Sequence, residues 1–139
     1  MPFLYKENKI DQVSLSLKEA LEERPSFEIT FEGIAAFRNR QIYLKVSSNE
    51  FLTKIQRDIA LWMKRHFNIF NANYRDYPYH PHLTIAFRDL KKVYFDIAFQ
   101  YYMDLNYEAS FTVSEISMLK LMADRWETIS NYQLGSLTT

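Results

Sequence analysis

A helix-then-strand unit occurs twice in this chain, and that repetition limits the folds open to it more than any other feature. The first copy is a helix over about 10–23, with Val13, Leu17, Ala20 and Leu21 on one face, followed by Phe27-Glu28-Ile29-Thr30-Phe31. The second is a helix over about 90–104, with Leu90, Val93, Ile97 and Tyr101 inward, followed by Tyr107-Glu108-Ala109-Ser110-Phe111. Each copy is then followed by a further strand. Lining up the copies places the counterpart of the strand 82–87 before residue 1, so the first half reads as lacking a strand-helix-strand that the second half has.

Between the copies the order is mixed. Arg24-Pro25 ends the first helix, and Gly33 is expected to break the strand that carries Phe27, Ile29 and Phe31. A second strand carries Ile42, Leu44 and Val46 on one face. Ser47 and Glu50 form a capping box for a helix to about Phe67, with Leu52, Ile55, Ile59 and Trp62 inward. Asn68 to Pro81 has no helical period and reads as a surface loop. Asp89 caps the later helix, and strands around Ile116–Leu121 and Trp126–Leu134 finish the chain. The expected class is α+β, a single two-lobed domain over residues 1–139.

Composition narrows the setting. In 139 residues, 47% are apolar and 24% charged, which suits one soluble globular domain. The longest apolar runs are a few residues, and Met1–Asn8 has neither the basic head nor the apolar stretch of a secretory signal. No membrane partner is expected, and a cytoplasmic location is the default. With no cysteine, neither a disulfide framework nor a thiolate metal site can form, so any catalyst draws on His, carboxylate or hydroxyl groups. Seventeen basic and seventeen acidic side chains cancel, which excludes the strongly positive surface of an avid nucleic-acid binder but leaves room for a local basic groove.

The chemistry concentrates in Tyr79-His80-Pro81-His82-Leu83-Thr84-Ile85-Ala86-Phe87-Arg88. On a strand, read here as buried, His82 and Thr84 share one face. An imidazole moves a proton and a hydroxyl holds an anionic oxygen, the two tools that phosphodiester hydrolysis needs. With three histidines in the chain, a Ser or Thr two residues after one of them arises by chance roughly one time in three, so the spacing alone is a weak signal and the plain alternative is a polar pair satisfied inside a sheet. His80 and His82 offer a His-x-His metal pair on paper, but Pro81 between them and the lack of a carboxylate partner speak against it. His66 is expected to serve the carbonyls at its helix end. Tyr74, Tyr77 and Tyr79 precede the site and have faces for a base to stack on, although packing of the loop is the plain role for most of them.

The arrangement resembles the two-histidine phosphoesterase superfamily, which contains the bacterial 2′-5′ RNA ligases and RNA 2′,3′-cyclic phosphodiesterases. The likeness runs over nearly the whole chain, through Phe31–Phe37, Ile42–Val46, His80–Ala86, Ile116–Leu121 and Tyr132–Gly135, and the His82-x-Thr84 block is its most specific piece. The resemblance implies two lobes about a pseudo-twofold axis, each an antiparallel sheet with helices outside, and a cleft holding one His-x-Thr from each lobe. It also implies metal-free and cofactor-free chemistry: one histidine acts as general base, the other as general acid, and the threonines hold phosphate oxygens. Histidine suits both roles because its ordinary pKa lies near 6.5.

His82 and Thr84 carry over as catalytic residues, and Arg88 and Tyr79 are the substrate-binding candidates, with a solvated charge beside Asp89 as the plain reading of Arg88. The implied partner is an RNA end or nucleotide with a 2′,3′-cyclic phosphate or a 2′-5′ linkage. Met1-Pro2-Phe3 looks like the residues that follow the first His-x-Thr block in such proteins, and that block is absent from this sequence. One positioned proton-transfer group is worth about 10² to 10⁴ in rate, so this chain by itself is expected to be feeble or inactive. The alternative is a non-catalytic module that binds a nucleotide or RNA end with half of the site. An incomplete first lobe leaves a sheet edge exposed, from which a homodimer is expected.

Overall fold

The computed structural model describes residues 3–37, 40–70 and 78–135. Its regular elements among those residues are helices α1 (Ile10–Leu21), α2 (Glu50–Phe67) and α3 (Phe95–Met103), and strands β1 (Phe27–Phe37), β2 (Gln41–Val46), β3 (His82–Ala86), β4 (Glu108–Val113), β5 (Glu115–Met122) and β6 (Arg125–Gln133). Four strands make one sheet in the order β3-β2-β1-β4, and β5 pairs with β6 in a second. The pairings β1–β2, β2–β3 and β5–β6 are antiparallel. The α+β class with two antiparallel sheets is as expected. None of the described helices is long and apolar enough to cross a membrane.

The chain divides into two compact units, each assembled from separated segments. The first contains α1, α2, β5 and β6. α1 buries Val13, Leu17 and Leu21, the four-residue spacing of one face of an amphipathic helix, and α2 contributes Ile55 and Met63. Phe27, Ile69, Met118 of β5, Tyr132 of β6 and Leu134 join that core. Tyr132 donates its hydroxyl to Ser14 Oγ at 3.0 Å, and Ser14 bonds Ser130 at 2.5 Å, so a line of hydroxyls ties α1 to β6. Trp62 Nε1–H donates to Ser16 Oγ at 2.8 Å, joining the two helices. His66 stacks on Trp62 with centroids 4.2 Å apart, which gives it an aromatic neighbour one turn back rather than a role confined to the helix end.

The second unit holds most of the four-stranded sheet together with α3. Ile29, Phe31, Ile42, Tyr43, Leu44 and Phe95 are its buried apolar residues. Gly33 does not break β1 as expected. It sits at φ 74° in a register irregularity between Phe31 and Ile34, and the strand runs on to Phe37. An extra residue at a bulge is absorbed by a local kink, for which a glycine in the left-handed region is well suited.

Three further expectations are corrected. Ser47 does not cap α2 through Glu50: its hydroxyl donates to Glu32 Oε2 at 3.1 Å, a partner on the neighbouring strand. The helix expected over 90–104 starts late, as a 3-10 turn at Lys92–Tyr94 followed by α3. Asp89 accepts from the Phe87 N–H at 3.4 Å, closing the turn after β3 instead of capping a helix. Finally, Val93, Ile97 and Tyr101 face out, at 74%, 71% and 65% exposure, while Phe95 is buried and stacks on Phe99. That segment is apolar on both stripes, so its period does not reveal which one the sheet takes.

Asp58 of α2 is held by two cations. It accepts from Lys54 at 3.0 Å and from Arg24, at the end of α1, at 2.6 Å. These hydrogen bonds, Lys54 first, hold its carboxyl below the usual range. A lowered folded-state pKa stabilises above the unfolded pKa and is lost as pH falls through the folded value. Asp58→Asn is expected to cost up to about 1 kcal/mol at pH 7. The difference from the parent chain should shrink steadily below about pH 4, as urea unfolding at a series of pH values will show.

Candidate active site on the β3 face

Pairing of β2 with β3 builds the candidate site. Lys45 lies opposite His82, Leu44 opposite Leu83, and Tyr43 opposite Thr84, after which an irregularity shifts the partner of Ile42 to Ala86. Directly opposed residues of an antiparallel pair project to the same side. His82, Thr84, Tyr43 and Lys45 therefore share a face. Phe37 joins them, its ring 4.8 Å from that of Tyr43.

β3 is not the buried strand expected. It forms the outer edge of its sheet, with Leu83 and Thr84 exposed and His82 partly so. An edge position suits a reacting group, which must meet a substrate from solvent.

His82 is held on several sides. Its Nδ1 lies 2.7 Å from the carbonyl oxygen of His80. A carbonyl only accepts, so Nδ1 carries the proton and Nε2 keeps its lone pair. Tyr43 and Phe37 flank the ring at 5.1 and 5.4 Å, and the His80 ring stands at 5.7 Å. Phe37 meets His82 edge to face at 81°, a favourable aromatic geometry. Thr84 Oγ1 accepts from Gln41 Nε2 at 3.3 Å, and its own O–H remains to be donated.

Among the other sequence candidates, Arg88 belongs to the same unit and places its guanidinium 5.6 Å from the centre of the Phe87 ring. Tyr79 belongs to the first unit, where it lines an apolar cavity of about 570 Å³ with Leu17, Leu52, Ile55, Met63 and Trp126. Burial raises its hydroxyl pKa. Tyr74 and Tyr77 lie outside the described residues. No cluster of three or more His, Cys, Asp or Glu suited to a metal occurs among the described residues. Sequence reasoning missed Phe37, Gln41, Tyr43 and Lys45. The available signal was strand alternation, since Tyr43 and Lys45 fall on the face opposite Ile42 and Leu44, but the partner strand was not readable.

The model of the 2′-5′ RNA ligase superfamily matches residues 1–125 of this chain. The chain belongs to that superfamily. Solved structures agree on the fold. A crystal structure of a phosphoesterase has a TM-score of 0.59 at 17% identity, covering 94% of this chain and 71% of its own. LigT of E. coli complexed with 3′-AMP gives 0.59 at 16%, with 94% and 71% covered. TT0787 of Thermus thermophilus gives 0.62 at 14%, with 96% and 74% covered. No curated protein matches the chain. Membership in the 2′-5′ RNA ligase superfamily bears out the two-histidine phosphoesterase resemblance read from His80–Ala86 and its flanking strands.

Because Thr84 is exposed on an edge strand, its hydroxyl contributes little to folding. Thr84→Val, which keeps the branched shape, is expected to change stability by less than about 0.5 kcal/mol. Urea unfolding of the variant checks this, and a loss well above that size would make the hydroxyl a structural group.

Proposed function

We propose that the protein is an RNA end-processing phosphoesterase, acting on 2′,3′-cyclic phosphates or 2′-5′ linkages, with His82 and Thr84 as catalytic residues. The observation that carries this reading is the bond from His82 Nδ1 to the His80 carbonyl beside an exposed Thr84, in a chain of the 2′-5′ RNA ligase superfamily. A neutral His82 accepts through Nε2 the proton of an attacking water or ribose hydroxyl. Protonated, the same ring gives a proton to the departing ribose oxygen. Thr84 donates its hydroxyl to a phosphate oxygen, and Arg88 adds a cation for the nucleotide. Relatives support a nucleotide ligand, since LigT has been crystallised with 3′-AMP and with ATP.

A second reading rests on the single His-x-Thr of this sequence. One imidazole and one hydroxyl hold a phosphate even where turnover needs a second proton carrier, which makes a nucleotide-binding module of the same face.

An RNA oligonucleotide ending in a 2′,3′-cyclic phosphate, incubated in chelator, separates the two. The expected result is ring opening that falls by about 10² or more in His82→Ala. Binding without turnover in both proteins would favour the module, and neither binding nor turnover would end both readings.

A homodimer through a free strand edge completes the proposal, because β3 ends one sheet and the other sheet has only two strands among the described residues. Light scattering at tens of micromolar should give twice the 16.7 kDa chain mass; a monomer there would overturn it.

A further inference from the structure

A lysine stands in the same row as His82, and the His-x-Thr pattern gives it no role. Lys45 is the register partner of His82, so their Cβ atoms are about 4.5–5.5 Å apart on one face. Its side chain is exposed, and its ammonium is in no ion pair among the described residues. The neighbouring carboxylate, Glu32, accepts instead from Ser47.

The side chain turns away from β3 and lies over β1. A Cβ at Gly33 would meet Lys45 Cε at 3.4 Å and stand 3.7 Å from Nζ. Gly33 is constrained by its φ of 74°, and the end of the lysine lies in ordinary contact distance above it. Its N–H donates to the Tyr107 carbonyl at 2.8 Å, which pins the bulge from the far side. The row runs His82 on β3, Lys45 on β2, Gly33 on β1. Two strand spacings, roughly 9–10 Å, separate its ends. The resting ammonium is therefore displaced from the reacting position, yet its stem is long enough to swing across part of that gap.

We propose that Lys45 holds the phosphate next to the reacting one, so that the site prefers the end of an RNA strand to a mononucleotide. The inference rests on the phosphoesterase reading above and adds the substrate class. In this assignment the RNA strand runs from His82 and Thr84 across β2, which puts its next phosphate within the sweep of the Lys45 ammonium. A mononucleotide cyclic phosphate has no second phosphate and gains nothing from Lys45. Lysine acts here as a mobile point charge rather than as a bidentate fork.

The test compares Lys45→Met, Lys45→Arg and His82→Ala with the parent chain, using a labelled oligoribonucleotide with a 2′,3′-cyclic phosphate end and cytidine 2′,3′-cyclic phosphate. KM and kcat are measured for both, and oligonucleotide binding is followed by anisotropy over a range of KCl. Lys45→Met should weaken the oligonucleotide roughly fivefold, the effect of about 1 kcal/mol for an exposed charge pair. It should also flatten the salt dependence of log K by about 0.7, the loss of one single-strand phosphate contact. The cyclic mononucleotide should be unchanged, and Lys45→Arg should restore most of the loss.

Equal loss on both substrates would place Lys45 on the reacting phosphate and overturn the assignment. Unchanged constants for both in Lys45→Met, with turnover still lost in His82→Ala, would overturn it while the phosphoesterase reading stands. Salt-sensitive binding that weakens in Lys45→Met without turnover in the parent chain would uphold Lys45 and remove catalysis. A parent chain that neither binds nor turns over either substrate would overturn both.

Discussion

The pairing register of β2 with β3 is the constraint on which the candidate site depends. Opposition of Lys45 to His82 and of Tyr43 to Thr84 brings an imidazole, a hydroxyl, an ammonium and an aromatic wall to one face. A slip of one residue would send the β3 side chains to the other face and dissolve the group. The irregularity beyond Tyr43 permits this register to coexist with a different one at Ile42↔Ala86. Leu83 and Ile85, on the reverse of His82 and Thr84, remain largely exposed, at 48% and 40%. Their burial therefore contributes little to holding the register, and the backbone ladder and the packing around Tyr43 carry more of it.

Much of this is readable from local pattern. The period of Val13, Leu17 and Leu21 finds α1, alternation through Phe27, Ile29 and Phe31 finds the start of β1, and His82-x-Thr84 places two functional groups on one side of a strand. What escapes is set by contacts far apart in sequence. Tyr43 and Lys45 join His82 only through pairing with a strand on the far side of α2, and no local signal names the partner. Ser47 reads as a cap because capping boxes are local, whereas its hydroxyl is taken by Glu32 across the sheet. On α3 two apolar stripes compete, and tertiary packing chooses Phe95 over Val93 and Ile97.

The fold is shared where most of the sequence is not. At 14–17% identity the path of the chain is common to this protein and the three solved structures, which shows how few side chains the architecture requires. An α+β frame with antiparallel strands needs apolar alternation, a bulge where a strand bends, and helices with one apolar stripe. Many sequences meet those demands. Of the side chains on the β3 face, Tyr43 is buried and serves packing, whereas Thr84 and Lys45 are exposed and the frame does not depend on them.

The bond between His82 Nδ1 and the His80 carbonyl joins two residues only two apart in the chain. Pro81 between them disfavours helical backbone at His80, so the short segment is stiff as well as close. Where an imidazole is oriented by a carboxylate or carbonyl from another part of a fold, its alignment drifts when the elements shift. Here the aiming device and the aimed group are one piece of backbone. A shift of the edge strand would therefore carry the carbonyl and the ring together.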